Sequence, residues 1–596
     1  MIRKRLSSLA LPVSLAATLA ILVVVFYYPV GSVLAAAVRG DAGPSLAPLL
    51  SVLGDPFYTG VAHHLFTDPL GIPAGTAEWL RDGAVVPSFG LVGFTIYQAI
   101  LSTVVSVCLG LPGAYLLSRY EFRGRATLRS LTILPFVLPS IMVAVGFIAM
   151  FGRTGLLNDL LALVGVGPVS LLFTLELVIL AHAFYNAPLV VRLVTAAWEG
   201  VDARRVETAR AMGASPLRAF RDVVLPQLRP ALLTAALLTF VFTFMSFPIV
   251  LALGGLQLAT VEVWLYSRVR SLALAEAATL GAIETGVSLA LTYAYLRYEA
   301  RTTAARTGGP TLERRVLLAG RATLRDPRRV ALLGYGALAL VVFVGPLASL
   351  LIESVTGPNG QFTAAYYQFL LDRQSATASG TTRPLPAVRN SLLFAAGTLV
   401  VAVPMGIVVS LVATRGGRGS RLAEAGLTAP LAVSGIVVGL GLLQTLVFGT
   451  TLFGRRLTVT GPVAIVLAHA VAAYPFVSRN VTPALGSIDT DLVAAARSLG
   501  ATRLEALADV ELPLVAPAVV AGAAFAAAIS VGEFDSTVLL AEGVDSYTMP
   551  VALERYIGNR SLGPSLGPAT AMGSVLLFVT AASFVVIDRL GGRWQL

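Results

Sequence analysis

Two segments share one pattern: residues 202–226 read DARRVETARAMGASPLRAFRDVVLP, and residues 489–513 read DTDLVAAARSLGATRLEALADVELP. The same offset of 287 residues aligns His182 with His469 and runs without a gap to Pro230. Register held over roughly fifty residues exceeds what two segments of similar composition share by chance. We conclude that the chain contains two homologous halves.

The first copy predicts two short helices joined by a glycine turn. Asp202 can accept hydrogen bonds from the free N–H groups at the start of a helix, and Gly213 permits the left-handed backbone that closes it. Ser215 and Pro216 suit the N-cap and the first position of the second helix. A compact helix-turn-helix is therefore expected here.

The second copy follows the same rules with different residues. Asp489 begins the first helix, Gly500 ends it, and Thr502 with Glu505 has the spacing of a capping box. Each second helix is expected to carry an apolar stripe, formed by Leu217, Phe220 and Val224 and by Leu504, Leu507 and Val510. Prolines are expected to end these second helices, namely Pro226 and Pro230, then Pro513 and Pro517.

The whole chain is too apolar for a soluble globular protein. Of its 596 residues, 56% are hydrophobic and 13% charged, and the mean hydropathy is +0.81. Many apolar runs exceed the roughly 20 residues that a helix needs to cross a bilayer, and lipid favours helices because their backbone groups bond internally. We predict an all-α polytopic membrane protein with about twelve transmembrane helices. Their centres lie near Ala20, Val104, Met142, Leu180, Thr239, Gly286, Leu340, Val401, Val438, Ala468, Ala524 and Leu577.

Basic residues gather between the apolar runs. Nearly all of the net charge of +11 comes from arginine, with clusters at 119–129, 301–329 and 415–421, whereas segment 40–88 is acidic. Cytoplasmic loops carry the excess of basic residues, so the N- and C-termini are expected in the cytoplasm and segment 40–88 outside. The apolar run near the N-terminus is too long for a signal peptide and is expected to be a retained helix. The charge thus predicts an orientation in a lipid bilayer and no nucleic-acid partner.

A basic stretch divides the predicted helices into two sets of six. We place the N-terminal half at residues 1–298, a basic cytoplasmic linker at 299–329 and the C-terminal half at 330–596. The glycines and proline of this stretch suit a linker, and an ordinary charged loop is the alternative. Because each half holds an even number of helices, both copies face the same side, as in a parallel pseudo-two-fold repeat.

The repeated segment carries a signature that resembles one known family. Permeases of binding-protein-dependent ABC importers share E-A-A, three residues, G, nine residues, an aliphatic residue, one residue and L-P. The first copy matches this spacing with Glu207-Thr208-Ala209, Gly213, Val223 and Leu225-Pro226. The second matches it with Ala494-Ala495-Ala496, Gly500, Val510 and Leu512-Pro513, but lacks the acidic residue. Two matches in register make the resemblance specific.

The resemblance implies that each repeated segment is a coupling loop that docks on an ATPase. The first coupling loop covers about residues 199–228 and the second about 486–515. The family pattern implies a place in the cell (plasma) membrane, two copies of an ATPase subunit at the cytoplasmic face and an extracytoplasmic substrate-binding protein. Arg210 and Arg497 offer charges for docking. Because Ala494 stands opposite Glu207, any ion pair that Glu207 makes has no counterpart in the second loop.

ATP hydrolysis is expected on a separate subunit. A P-loop needs a lysine that reaches the phosphates, and the only lysine, Lys4, precedes the first helix. The chain is therefore expected to have no enzyme activity, no cofactor and no metal of its own. His182 and His469 lie near the midpoints of predicted helices, where hydrogen bonds between helices are expected and a proton relay is the alternative.

Looser similarities concern the cargo. Residues 246–266 and 548–571 resemble stretches of fused thiamine permeases, notably in Ser246-Phe247 and Thr548-Met549-Pro550. The resemblance implies thiamine or a thiamine phosphate, with ferric iron as the alternative. A cationic substrate suits acidic groups along its path, and the candidates are Glu262, Glu284, Glu533 and Asp535. Alternatively, Glu262 and Asp535 lie at the outer water interface and only Glu284 lies within the bilayer.

Two other classes of protein predict different features. An ion-coupled secondary transporter would work alone and often shows inverted repeats, whereas the repeat here is parallel. A membrane-embedded enzyme would need a convergent nucleophile, acid–base or metal set, which the sequence does not display.

Overall fold

The computed structural model describes residues 2–40, 43–63, 85–132, 135, 138–302, 312–318, 326–372, 383–415, 426–452, 454–558 and 566–592. Part of the acidic segment 40–88, most of the basic linker 299–329 and most of the basic cluster 415–421 lie outside these residues. The described chain is almost entirely helical. It is an all-α polytopic membrane protein, as the sequence predicts.

Helices account for nearly all of the regular structure. Those of the first half are Ile2–Leu22, Tyr28–Ala37, Ala47–Leu53, Pro56–Thr59, Val85–Arg119, Arg125–Leu131, Ser140–Phe151, Leu156–Leu163, Leu175–Glu199, Ala203–Ala211, Pro216–Ala219, Leu225–Phe244, Pro248–Leu253, Val261–Arg270 and Leu274–Thr302. Those of the second half are Pro327–Glu353, Ala365–Asp372, Pro384–Arg415, Gly435–Leu442, Gly461–Gly486, Thr490–Ser498, Arg503–Ala506, Leu512–Gly532, Thr537–Leu540, Met549–Gly558 and Gly567–Gly592. Short 3₁₀ turns occur at Gly60–His63, Ala429–Ala432 and Val544–Ser546, and π turns at Val23–Tyr27, Phe220–Val224, Leu443–Val447 and Leu507–Glu511.

Strands are few and short. Arg39–Gly40 pairs antiparallel with Gly43–Pro44, and Thr450–Leu452 pairs antiparallel with Arg455–Leu457. A third, parallel pair joins Tyr120–Glu121 to Arg315–Val316.

Ten helices in the described part of the chain are long and apolar enough to cross a membrane. An eleventh span is formed if the bent pair Gly426–Ala432 and Gly435–Val447, which meet at 107°, counts as one. The predicted centre at Val438 lies in this bent pair, and the centre at Leu577 lies in the helix Gly567–Gly592. The other ten predicted centres each lie in one of the ten long helices. All twelve predicted centres therefore lie in helices of the described chain, one of them in the bent pair.

The two halves interlock through their first helices. Tyr28–Ala37 packs against Gly435–Leu442 of the second half, and Pro327–Glu353 packs against Ser140–Phe151 of the first. Glycines permit both close approaches: a Cβ on Gly146 would lie 2.6 Å from the Pro346 carbonyl oxygen, and a Cβ on Gly441 would lie 2.6 Å from that of Pro29. The two crossings join the halves in one large buried apolar cluster.

The prolines of the repeated segment lie inside continuous helices. Phe220–Val224 forms a π turn before Pro226, and the helical run extends over Pro216–Phe244, through Pro230. A proline in an α-helix clashes with the carbonyl four residues earlier, and the wider π turn relieves this clash. The expectation that prolines end the second helices is therefore wrong. The second copy behaves in the same way, with Leu507–Glu511 before Pro513 and with Pro517 inside Leu512–Gly532.

The described part of the linker packs on the first half. Arg315–Val316 pairs in parallel with Tyr120–Glu121, and Leu317 is buried beside Tyr120. Leu312 packs on the apolar cluster that supports the first coupling loop. Residues 312–318 thus hold the linker against the first half.

Candidate functional site: the coupling loops and a buried acidic cluster

The first coupling loop has the predicted caps. The Asp202 carboxylate accepts a hydrogen bond from the Arg204 N–H at 3.0 Å and begins the helix Ala203–Ala211. Gly213 has a φ of +88°, and the Ala214 N–H reaches back to the Ala209 carbonyl at 3.0 Å. This closure is a Schellman motif, which needs a left-handed residue at the position of Gly213. The Ser215 hydroxyl then caps the next helix through the Arg218 N–H at 3.2 Å.

The second coupling loop reaches the same shape. Gly500 has a φ of +98°, and the Ala501 N–H donates to the Ala496 carbonyl at 3.1 Å. Thr502 and Glu505 form the predicted capping box: the Glu505 N–H donates to the Thr502 hydroxyl at 3.2 Å, and the Thr502 N–H donates to the Glu505 carboxylate at 2.7 Å. Two sequences thus specify one rigid turn between short helices.

Both loops expose an apolar side chain at the tip of the turn. Met212 is 78% exposed and Leu499 is 91% exposed, and the two are equivalent in the repeat. Single exposed apolar residues are common, but a matched pair on two homologous turns indicates a repeated contact surface. In the first loop a groove of about 520 Å³ lies beside Met212, between Thr208 and Pro226.

The two loops differ in detail. Arg210 donates from Nη1 to the Ala214 carbonyl at 2.7 Å, so its charge braces the turn as well as facing solvent. Glu207 and its counterpart Ala494 are both exposed. The expected apolar stripe of the first loop is only partly correct, because Leu217 is 75% exposed while Phe220 and Val224 pack inward.

Different ion pairs support the two loops, and the sequence does not reveal either. Glu199, at the start of the first loop, pairs with Arg125 at 2.7 Å, Arg314 at 3.0 Å and Arg129 at 3.3 Å. Arg314 belongs to the linker, so the linker is fastened beside this loop. In the second loop, Glu511 is buried and pairs with Arg415. Val224 and Gly486 occupy the repeat-equivalent positions of Glu511 and Glu199, so the repeat gives no signal for these pairs.

Three of the four acidic candidates come together between the halves. Glu262 and Glu284, from neighbouring helices of the first half, are 0% and 1% exposed and interact with each other. Asp535 of the second half interacts electrostatically with both, and Ser434 lies beside the pair. Glu262 and Glu284 form a side-chain hydrogen bond with each other, and each also interacts with the Ser434 hydroxyl. Beyond these contacts, the three side chains have no hydrogen-bond partner among the described residues. Glu262 is therefore shielded from water by protein, and its depth in the bilayer stays a prediction.

The fourth candidate, Glu533, has a different environment. It accepts hydrogen bonds from the Ser536 N–H at 2.8 Å, the Ser536 hydroxyl at 2.9 Å and the Thr537 N–H at 3.2 Å. His469 Nε2 lies 3.1 Å from its carboxylate. Glu533 is thus fully engaged in fixing the start of the helix Thr537–Leu540.

The two repeat-equivalent histidines tie helices together, as predicted. His182 Nδ1 lies 3.0 Å from the Ser102 hydroxyl, and Nε2 lies 2.9 Å from that of Ser246. His469 Nδ1 lies 2.8 Å from the Ser530 hydroxyl, and Nε2 lies 2.7 Å from that of Thr537. Such hydrogen bonds fix helix positions in a membrane protein, each by about 1 kcal/mol.

An aromatic pair lies between the halves, and the sequence patterns do not predict that its two rings are in contact. Phe247 and Phe534 are both fully buried and stack with ring centroids 5.6 Å apart and planes 17° apart. Their positions differ by the repeat offset of 287, which was the available signal. Phe247 also contacts the ring of Tyr266 at 5.2 Å. The stack joins equivalent positions of the two halves across their interface.

These features define a class: a multi-pass membrane protein of two fused homologous halves, each with a capped helix-turn-helix loop. A family model described as "Binding-protein-dependent transport system inner membrane component" matches residues 106–298 and 402–595, and the chain belongs to this family. It is a fused two-half permease of the ABC importer class.

Several curated proteins are similar to this chain. The thiamine transport system permease protein ThiP of Brucella abortus (strain 2308) is 28% identical over 508 residues, which cover 83% of this chain and 86% of that protein. ThiP of Escherichia coli (strain K12) is 28% identical over 514 residues, covering 84% and 89%. The molybdenum transport system permease protein ModB of Azotobacter vinelandii is 32% identical over 186 residues, covering 31% of this chain and 81% of that protein.

Proposed function

We propose that the chain forms the translocation pathway of an ATP-driven importer for thiamine or a thiamine phosphate. An extracytoplasmic binding protein delivers the substrate, and two copies of an ATPase subunit dock on the coupling loops at the cytoplasmic face. The N- and C-termini lie in the cytoplasm. The similarity to two thiamine permeases over more than four-fifths of the chain supports this cargo.

The repeated coupling loop is the observation that carries the proposed mechanism. Each loop is a pair of short helices fixed by caps and a left-handed glycine, with an exposed apolar tip. A capped turn transmits displacement because it has few alternative conformations. Closure of the ATPase dimer would move the two loops, and the loops would move the helices Leu225–Phe244 and Leu512–Gly532, with which they are continuous.

Reconstitution tests the cargo. Proteoliposomes that contain this chain, its ATPase and its binding protein are given ATP with radiolabelled thiamine, thiamine monophosphate or ferric iron. We expect ATP-dependent accumulation of a thiamine compound. Accumulation of ferric iron alone would show that ferric iron, and not thiamine, is the substrate. Thiamine uptake in vesicles that lack the ATPase would identify a secondary transporter.

A further inference from the structure

A groove with an apolar wall and a basic rim lies between the first helix of the chain and the second half. The cavity has a volume of about 200 Å³. Its apolar wall comes from two helices and comprises Leu11, Leu15, Val408, Leu411 and Val412. The two other lining residues are Arg415 and Arg503, so one end of the groove carries guanidinium groups.

Three elements build the groove. The helix Ile2–Leu22 packs against Pro384–Arg415 and against Arg503–Ala506, the second short helix of the second coupling loop. Arg415 is the last residue of its helix, and the apolar lining residues of that helix precede it by at most two turns. Two turns span about 11 Å, so the apolar wall and the basic rim are within reach of one amphipathic molecule.

The rim keeps an excess of positive charge. Arg415 donates from Nη2 to the buried carboxylate of Glu511, which balances its charge but engages only part of a guanidinium with five N–H donors. Arg503 is exposed and forms no ion pair with any described residue. The nearby Glu505 carboxylate accepts a hydrogen bond from the Thr502 N–H at 2.7 Å, in the capping box. Arg503 is therefore available to an anion.

The sequence places further basic residues at the same end of the groove. Three of them precede Leu11 by about two turns on its helix, namely Arg3, Lys4 and Arg5. Basic groups at the cytoplasmic end of a membrane helix attract anionic lipids, and basic pockets between such helices bind their head groups. The first coupling loop has Pro216 at the position equivalent to Arg503, so this arginine belongs to the second loop alone.

The position of the groove favours a lipid over a soluble anion. Leu11 begins one candidate membrane span, and Pro384–Arg415 is another, so the groove lies where two spans end. Acyl chains meet head groups at this depth of a bilayer. A soluble anion would contact the arginines and leave the apolar wall uncovered, whereas a phospholipid would cover both.

We propose that this groove binds an anionic phospholipid, with the phosphate at Arg415 and Arg503 and one acyl chain along the apolar wall. The lipid would connect the first helix of the chain to the second coupling loop. This inference goes beyond the proposed function and is independent of the cargo. It takes from that proposal only that the coupling loops face the cytoplasm.

Lipid titration of the full-length permease tests the headgroup contact. The protein is purified in detergent and titrated with phosphatidylglycerol or phosphatidylcholine, and native mass spectrometry gives the dissociation constant of the first bound lipid. The wild type should prefer phosphatidylglycerol. R503Q should bind it about fivefold more weakly, the effect of one basic group near a lipid surface, with little change for phosphatidylcholine. R218Q is the matched control, because Arg218 is exposed on the corresponding helix of the first loop and does not line the groove.

A groove-filling variant tests the acyl-chain contact. V412F enlarges a half-buried lining residue without changing the charge, and it should weaken binding of both lipids, by about fourfold for each methylene displaced. Wild-type affinity in R503Q, or an equal loss in R218Q, would overturn the site. Displacement of phosphatidylglycerol by glycerol phosphate, or wild-type affinity in V412F, would replace the lipid by a soluble anion. Because Arg503 is exposed, R503Q decides the matter even where V412F fails to fold.

Discussion

Valine in place of Gly213 or Gly500 should disable one coupling loop while leaving the membrane helices intact. The two glycines have φ values of +88° and +98°, and no atom lies within 4 Å of an added Cβ at either position. The cost is therefore conformational rather than steric, and it amounts to about 1–2 kcal/mol for a residue in the left-handed region. Such a cost lowers the ratio of closed to open turns by about 5-fold to 30-fold.

Co-purification and transport measure this effect. G213V and G500V should recover less ATPase subunit on affinity purification and show slower thiamine uptake, with a normal yield of monodisperse permease in detergent. G286V is the matched control, because Gly286 lies outside both coupling loops, a Cβ there also meets open space, and its backbone φ lies outside the left-handed region. Normal recovery of the ATPase and normal uptake in both variants would refute the coupling role of these turns.

Three further perturbations test the supporting structure. R415A should destabilise the protein by about 3 kcal/mol, because it leaves Glu511 buried without its partner. Thermal unfolding in detergent should show that the double variant R415M/E511L recovers part of this stability. Equal stability of R415A and the wild type would contradict a stabilising role for the ion pair. G146V and G441V should each lower the midpoint of thermal unfolding and reduce the free energy of unfolding by about 1–3 kcal/mol, because the new side chain meets a proline carbonyl of the other half. G334V is the control, because nothing lies within 4 Å of a Cβ there, and its midpoint should not change. Similar midpoints for all three variants would argue against the close packing of the halves. E199Q should reduce the free energy of unfolding by less than about 1 kcal/mol for each ion pair lost. Trypsin should nevertheless cleave faster near Arg314, because the linker loses its ion pair with Glu199. An unchanged cleavage rate would show that strand pairing alone holds the linker.

The local geometry of the coupling loops could be predicted because it depends on near neighbours. Asp202, Gly213 and Ser215 act within three residues of the groups they cap, and the Thr502–Glu505 capping box is equally local. The prolines were misjudged because a π turn, which leaves no mark in the hydrophobic pattern, accommodates Pro226 inside a helix. The predicted centres of the membrane spans all lie in helices, although the span at Val438 is broken.

Contacts between the halves could not be predicted from the sequence. The meeting of Glu262 with Asp535 depends on how two distant helices pack, and a single sequence contains no pairing information at that distance. The attachment of Arg314 to Glu199 has the same origin. Phe247 and Phe534 are a partial exception. The repeat offset of 287 identifies them as equivalent positions, but it does not predict that their rings stack.

The dependence of uptake on the partner ATPase tests the central claim most directly. Thiamine uptake is measured in proteoliposomes that contain this chain, the binding protein and either a wild-type ATPase or one unable to hydrolyse ATP. The account predicts uptake with the wild-type ATPase and ATP, and none with the inactive subunit. Uptake that persists with the inactive subunit, driven by an ion gradient alone, would contradict it.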